Sequence, residues 1–255
     1  MNLWEQAKKK IWGESYKSMP STKVKGLIIE SKDSKEKDKS VVIYTLEQGK
    51  TRAVFKGVRG EKAKMKASKD IFTFGDFFIE NTKGNNVVSQ VDVIDSFYNF
   101  SQDLDKYYEA CSVVDVVKKI GNQSDPIFFL ETIKALKAIC YENIQKNYVL
   151  NSFLLKVFQG AGLTINTAKC ASCGADLTGS KFINYDIGEI VCANCKTYTS
   201  QKLSNSVVSA INIFSKIPYE KLATLHLEKD AEKETLEILL KNFECRFGYQ
   251  IFAVI

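Results

Sequence analysis

With 255 residues the chain is long enough to bury a substantial core, and it could form one large domain or two to three small ones. Its 45% hydrophobic and 26% charged residues are ordinary for a soluble globular protein, and no apolar run approaches the roughly 18 residues of a membrane span. The first twenty residues lack the features of a secretory signal, so we expect a cytoplasmic protein.

Residues 1–20 are predicted to be an N-terminal extension. Their apolar residues recur at helical spacing, which favours a short amphipathic helix docked on the body over a membrane-surface segment or a frayed terminus. Pro20 marks the boundary with the next region.

Residues 21–98 are predicted to form a small antiparallel β-barrel. Five short strands suit the oligonucleotide/oligosaccharide-binding (OB) barrel, and an SH3-like barrel fits the pattern nearly as well. Residues 31–39 mix lysines with acids and are predicted to be a solvated loop. The strands are expected in five runs rich in β-branched and aromatic residues, at 23–30, 40–47, 51–57, 70–80 and 86–97.

Positive charge is concentrated in residues 50–69. Eight basic residues against one acid give this segment a formal charge of +7, larger than the +6 of the whole chain. Such asymmetry suggests a polyanionic partner, although a charge run is more commonly a solvated loop. Phe55, Phe72 and Phe74 lie in or beside the segment, and strand alternation favours core positions for them over base-stacking platforms. The basic residues are Lys50, Arg52, Lys56, Arg59, Lys62, Lys64, Lys66 and Lys69.

Two further regions, residues 99–165 and 201–255, have helical periodicity, and the second is predicted to pack on the first. Ser124 is the expected N-cap of the second helix, with Pro126 in its first turn. That helix carries an apolar stripe of core residues: Phe129, Leu130, Ile133, Leu136, Ile139 and Cys140. The predicted helices span 101–121, 124–142, 147–162, 203–217, 218–227 and 232–247.

Residues 166–200 contain two Cys-x-x-Cys pairs, Cys170 with Cys173 and Cys192 with Cys195, separated by 18 residues. Four thiolates satisfy a tetrahedral Zn²⁺ ion, and this spacing fits the zinc pattern. Gly174 permits a tight turn beside the first pair, and the insert can form a hairpin that turns near residues 186–188.

Other uses of the four sulfurs fit less well. Disulfides are rare in a reducing compartment, a thioredoxin-like redox site needs one pair between a strand and a helix, and iron–sulfur clusters use other spacings. A four-cysteine shell also has no open position for catalysis, so we predict one structural Zn²⁺ per chain that contributes on the order of 10 kcal/mol to folding. The other cysteines, Cys111, Cys140 and Cys245, lie in apolar helical runs and are expected to act as small hydrophobes.

Signs of catalysis are few. His226 is the single histidine, and it is expected to pack on an apolar helix rather than to act in a catalytic pair. The chain has no phosphate-binding Gly-x-x-x-x-Gly-Lys-Ser/Thr loop and no obvious Mg²⁺ site. These absences favour a binding protein over an enzyme.

The order of a barrel, helices, a cysteine module and further helices resembles the bacterial RecO family of recombination mediators. The resemblance covers roughly residues 23–200 and rests on VKGLIIES, YTLEQGKTRAVFKGVRG, FLLKVFQGAGL, CASCG and GEIVCANC. Residues 31–39 lack a Gly-Glu pair often seen there, and residues 1–20 look like an addition.

The resemblance implies a non-enzymatic, nucleoid-associated protein that binds single- and double-stranded DNA and anneals complementary strands. It also implies that the protein works with RecR to load RecA onto DNA coated by single-strand-binding protein, and that the helical region receives the acidic tail of that protein. The eight basic residues would then neutralise phosphates. Two alternatives stay open: a zinc-stabilised RNA- or ribosome-binding protein, and a protein–protein scaffold.

Overall fold

The structure is a computed structural model that describes residues 21–58, 69–82, 84–228 and 230–254. The predicted extension at residues 1–20 lies outside these ranges. The described chain forms two compact units. The barrel unit comprises residues 21–45 and Thr51–Ser96, and the helical unit comprises Leu46–Lys50 and the residues from Phe97 onward.

A closed five-stranded barrel in the order β1-β2-β3-β5-β4 confirms the predicted barrel fold of the OB type. Strand β1 pairs with both β2 and β4, so no edge strand is left open. Strands β3 and β5 meet in parallel at Val54 and Val87. The strands are β1 (Thr22–Ser34), β2 (Asp38–Thr45), β3 (Gly49–Phe55), β4 (Phe74–Thr82) and β5 (Asn85–Asp95).

The interior of the barrel is filled by alternate residues of the strands. Phe55 and Phe77 are the bulkiest side chains of this core, and both are fully buried. Gly75 of β4 lies close to the backbone of β5, and a Cβ atom added there would lie 2.5 Å from the carbonyl oxygen of Asp92. Only glycine allows this close approach of the strands.

The prediction of a loop over residues 31–39 is wrong for most of that stretch. Strands β1 and β2 continue as a paired hairpin from Ser31, opposite Val41, to Ser34, opposite Asp38. The turn is confined to residues 35–37. Main-chain pairing across the hairpin stabilises an extended conformation that the mixed charges of the side chains do not indicate.

Five α-helices and a small sheet make up the described helical unit. Two 3₁₀ turns, Tyr98–Gln102 and Tyr219–Thr224, accompany them. The α-helices are α1 (Leu104–Ile120), α2 (Pro126–Tyr141), α3 (Tyr148–Gly160), α4 (Asn205–Phe214) and α5 (Ala231–Phe247), and the sheet strands are β6 (Lys181–Asn184), β7 (Glu189–Cys192) and β8 (Ser200–Leu203). None of the helices in the described ranges combines the length and apolar character needed to cross a membrane.

Helix α2 begins one residue later than predicted. Asp125, not Ser124, is its N-cap, because the Asp125 carboxylate accepts hydrogen bonds from the backbone N–H groups of Ile127 and Phe128. The Ser124 hydroxyl instead donates to the carbonyl oxygen of Leu46 at 2.7 Å. The apolar stripe of α2 is buried except at Leu130, which is 51% exposed.

Two further predictions for the helical unit are wrong. Residues 218–227 form a 3₁₀ turn followed by residues without regular secondary structure, so exposed His226 does not lie on a helix. Pro218 at the start of this segment adopts an extended conformation, and the turn ends at Thr224. Cys245 is exposed rather than packed as a small hydrophobe, whereas Cys140 is buried as expected.

A buried carboxyl group supports the start of α3. Asn147 precedes the helix in a left-handed conformation and provides no side-chain cap. The Glu109 carboxylate of α1 accepts a hydrogen bond of 3.0 Å from the backbone N–H of Leu150. Burial raises the pKa of Glu109 from its ordinary value of 4.5 to about 7, although backbone donors at the start of α3 favour its ionised form.

Candidate metal centre and nucleic-acid interface

The four predicted metal ligands meet at one point of the helical unit. Strands β6 and β7 form the predicted hairpin, and β7 ends at Cys192. Ahead of β6, Gly174 adopts a φ of +73° and its N–H donates to the carbonyl oxygen of Cys170, which closes the first Cys-x-x-Cys turn. The Sγ atoms of Cys170, Cys173, Cys192 and Cys195 all lie within 4.8 Å of one another.

The sulfur geometry suits a metal ion rather than disulfides. The Sγ atoms of Cys173 and Cys192 are 3.9 Å apart, nearly twice the roughly 2.05 Å of an S–S bond. Four thiolates around a tetrahedral ion with bonds of about 2.3 Å would have Sγ atoms roughly 3.8 Å apart. The observed cluster therefore has the dimensions of a four-sulfur metal shell.

The thiols of the cluster differ in their pKa values. Burial opposes ionisation of Cys170, but the backbone N–H groups of Cys192, Cys173 and Ser172 outweigh it and lower the pKa of the thiol to about 6. Hydrogen bonds that Cys195 shares with Cys173 and Cys192 raise its pKa to about 12. Because neighbouring thiolates repel one another, four ionised sulfurs need a positive ion between them.

A third strand that the sequence did not predict completes the cysteine module. Strand β8 pairs with β6 on the side away from β7. Ile183 and Ile190 are fully buried, and the amide of Asn242 on α5 donates to the carbonyl oxygen of Gly188 in the hairpin turn. The buried hydrogen bond from Asn242 fastens the module to α5.

Half of the predicted phosphate-binding residues lie in the described ranges. Arg52 and Lys56 are exposed, while Thr51, Ala53 and Phe55, which alternate with the outward positions, are buried. Alternation along β3 therefore directs Arg52 outward. Lys56, one residue beyond the end of the strand, is an even number of residues from Arg52 and lies on the same outward side. The others, Arg59, Lys62, Lys64 and Lys66, lie outside the described residues.

Lys50 and Lys69, the two other described residues of the set, form hydrogen bonds within the fold. The ammonium of Lys50 donates to the carbonyl oxygen of Lys118 at 2.7 Å, near the C-terminus of α1. The carbonyl oxygen of Lys69 accepts from the Ser31 hydroxyl at 2.7 Å, and the residue is partly buried. Lys50 thus also serves the fold of the helical unit.

The aromatic residues of the basic segment are core residues, as the alternation predicted. Phe55, Phe72 and Phe74 are at most 7% exposed. The outward ring that sequence reasoning missed is Phe78, whose neighbour Phe77 points inward; the ammonium of Lys23 lies 5.6 Å from the centroid of the Phe78 ring. The Phe-Phe doublet was the available signal, because one member of such a pair in a strand must face outward.

Asp76 of β4 forms ion pairs with two lysines on the outside of the barrel. It forms ion pairs with Lys25 at 2.7 Å and Lys23 at 2.9 Å. Hydrogen bonds from Lys25 and Lys23 lower the pKa of Asp76, despite an opposing effect of burial. The positive charges of these two lysines are therefore partly neutralised by the Asp76 carboxylate.

A groove of about 620 Å³ opens in the helical unit between the α1–α2 connection, the start of α2 and the end of α3. Its wall includes apolar Ile127 and Phe128, and Ile127 is 73% exposed. The Lys156 ammonium lies at this wall, 3.6 Å from the centroid of the Tyr219 ring and 3.9 Å from the Glu131 carboxylate. Burial lowers the pKa of Lys156.

Comparison with known families accounts for both units. The family model described as "Recombination protein O N terminal" matches residues 19–97, and the one described as "Recombination protein O C terminal" matches residues 101–249. The chain belongs to the RecO family. The first match spans the barrel, and the second spans the cysteine cluster together with most of the described helices.

Similar RecO proteins cover most of the chain at modest identity. The proteins named "DNA repair protein RecO" from Clostridium novyi (strain NT) and Clostridium acetobutylicum are 26% and 25% identical over 85% of this chain and 86% and 89% of their own lengths. The protein of the same name from Oceanobacillus iheyensis is 24% identical over 90% of both chains. The similarity therefore extends through both units.

Proposed function

We propose that this RecO-family chain is a DNA repair and recombination mediator that binds single- and double-stranded DNA and anneals complementary strands. The observation that carries the proposal is the outward placement of Arg52 and Lys56 on an OB-type barrel, at the start of a segment with a formal charge of +7. Barrels of this type bind single strands through cationic grooves that follow the backbone.

The proposed mechanism is electrostatic. The eight cations of residues 50–69 neutralise phosphates, so two complementary strands approach each other with less mutual repulsion while their bases pair. No covalent step is needed, and we therefore infer that the chain acts without enzymatic catalysis. A protein with this role works in the cytoplasm, at the nucleoid.

Salt dependence of binding tests this mechanism. If about five cations contact phosphates, the logarithm of affinity for a single strand falls against the logarithm of salt concentration with a slope near −3.5. Replacing Arg52 and Lys56 with alanine is expected to reduce the magnitude of the slope by about 1.4 and to weaken binding on the order of tenfold at 0.1 M salt. Fluorescence anisotropy with a labelled oligodeoxythymidine measures both quantities.

The matched control replaces Lys137 and Lys233, two exposed helical lysines, with alanine. It removes the same net charge from the molecule but none from the barrel, so affinity and slope should stay close to wild type. Equal behaviour of the two double variants would mean that overall charge, not the barrel, determines binding. Competition between DNA and RNA strands in the same assay decides which nucleic acid is preferred.

Partner proteins form the second part of the proposal: RecR, with which the chain helps to load RecA, and the acidic tail of single-strand-binding protein. We place the tail in the groove of the helical unit. The apolar wall at Ile127 and Phe128 would receive apolar side chains, and the Lys156 ammonium would meet a carboxylate. Burial of apolar side chains beside a cation is a favourable site for such a segment.

We further propose that the cysteine cluster holds one structural Zn²⁺ ion per chain. Cys170, Cys173, Cys192 and Cys195 would supply four thiolates and leave no coordination position for substrate. The ion would bring together the two ends of a hairpin with little apolar surface of its own. Its role is to stabilise the module rather than to contact DNA.

A further inference from the structure

The segment that joins the cysteine cluster to α4 is polar and basic. Between Cys195 and Leu203 the sequence reads KTYTSQK, which contains two lysines, four hydroxyl-bearing residues and no acid. Tyr198 at its centre is 98% exposed. A ring so fully exposed contributes no buried area to folding, so its position is not explained by packing.

The turn that carries Tyr198 is held in one conformation by its neighbours. The N–H of Ser200 donates to the carbonyl oxygen of Thr197 at 3.1 Å, and the Ser200 hydroxyl accepts from the N–H of Thr197 at 2.9 Å. The Thr199 hydroxyl donates to the Asp186 carboxylate at 2.7 Å. Tyr198 is therefore presented to solvent from an ordered turn, which lowers the entropic cost of binding.

A second aromatic ring and two cations lie on the adjoining sheet. Phe182 of β6 is partly exposed and stands directly opposite Lys202 of β8. The ammonium of Lys196 lies 5.1 Å from the centroid of the Phe182 ring. The nearby Asp186 carboxylate accepts a hydrogen bond from Thr199, and the charged residues of the segment itself are the two lysines.

We propose that Tyr198, with Lys196, Lys202 and Phe182, forms a second contact site for single-stranded DNA, on the outer surface of the cysteine module. Exposed aromatic rings stack on bases of any sequence, and neighbouring lysines pair with phosphates. The inference rests on the proposed function, because it adds a contact in the helical unit to the one assigned to the barrel. The metal then has an indirect role, since it holds the strand ends from which this surface is built.

Replacing Tyr198 with alanine tests the site with little risk to the fold, because the ring is almost fully exposed. Loss of one stacked base is expected to weaken binding to oligodeoxythymidine by about fivefold or more, whereas Tyr198→Phe keeps the ring and should bind like wild type. The double variant Lys196→Ala/Lys202→Ala should reduce the magnitude of the salt slope by about 1.4. Unchanged metal content and circular dichroism confirm that each variant is folded.

A cross-linking measurement on the wild-type protein completes the test. A strand containing 5-iodouracil is irradiated in the complex, and mass spectrometry is expected to find the adduct on Tyr198. If Tyr198→Ala binds like wild type and no adduct forms there, while Arg52→Ala/Lys56→Ala weakens binding, the second site is rejected and the proposed function stands. If the wild-type protein binds no single strand at all, both are rejected.

Discussion

Replacement of Cys173 with serine is expected to remove the metal ion and unfold the cysteine module. Serine supplies no thiolate, and about 10 kcal/mol of metal-binding free energy is typically coupled to the folding of such sites. Elemental analysis should find one zinc per chain in the wild type and close to none in the variant. Limited proteolysis should cut the variant first within residues 166–204.

The matched control is Cys245→Ser, because Cys245 is an exposed cysteine outside the cluster. That variant should keep one zinc per chain and resist proteolysis like the wild type. DNA affinity of Cys173→Ser should fall only in part, since the barrel contacts remain. Iron in the purified protein, or stoichiometric zinc in Cys173→Ser, would show that the metal assignment is wrong.

The second large effect is expected at Glu109, in the form of a pH-dependent stability. The folded-state pKa is raised from 4.5 to about 7, so the unfolded chain releases this proton at lower pH than the folded one. The contribution of Glu109 to stability is therefore greatest below pH 4.5 and is lost as the pH rises through about 7. The free energy of unfolding contributed by Glu109 changes by about 3 kcal/mol over this whole pH range.

Glu109→Gln measures this contribution, because glutamine keeps an acceptor for the Leu150 N–H but does not titrate. The unfolding free energy of the wild type relative to this variant should fall by about 2 to 3 kcal/mol between pH 5 and pH 7.5 in urea titrations. Taking the difference between the two unfolding free energies cancels the contributions of groups that titrate alike in both proteins. Glu237→Gln, at an exposed position of α5, is the control. A difference for Glu109→Gln that stays constant over this range would contradict the assigned burial.

The strands and the clustering of the four cysteines were predictable because both depend on local sequence. β-branched and aromatic runs produced the five barrel strands, and the spacing of Cys170, Cys173, Cys192 and Cys195 is itself a geometric constraint on a turn and a hairpin. Gly188 in the predicted hairpin turn indeed has a φ of +63°. In these cases the local pattern and the tertiary structure agree.

The wrong predictions concern places where contacts with residues distant in the sequence determine the local structure. Ser124 and Asp125 are both good N-caps, and the choice between them is made when Ser124 donates to Leu46, 78 residues away. The charged hairpin beyond Ser31 is extended because of its cross-strand partners. Strand β8 is polar, and only its pairing with β6 identifies it.

For the proposed phosphate-binding residues, the sequence identifies a charged segment but not which side chains of it face outward. A count of charges identifies residues 50–69, yet Lys50 is engaged with the carbonyl of Lys118 while Arg52 points outward. Strand alternation separates outward from inward positions only once the strand bounds are known. The same reasoning explains why Phe78 was missed and why Phe55 was correctly placed in the core.

Annealing of complementary strands precoated with single-strand-binding protein tests the central claim most directly. The wild-type chain should accelerate annealing of coated strands, and a variant with Lys56, Arg59, Lys62, Lys64 and Lys66 replaced by alanine should lose most of that acceleration, on coated and on bare strands alike. The control Lys137→Ala/Lys233→Ala should anneal like the wild type. No acceleration by the wild type, or full activity in the five-residue variant, would contradict the account.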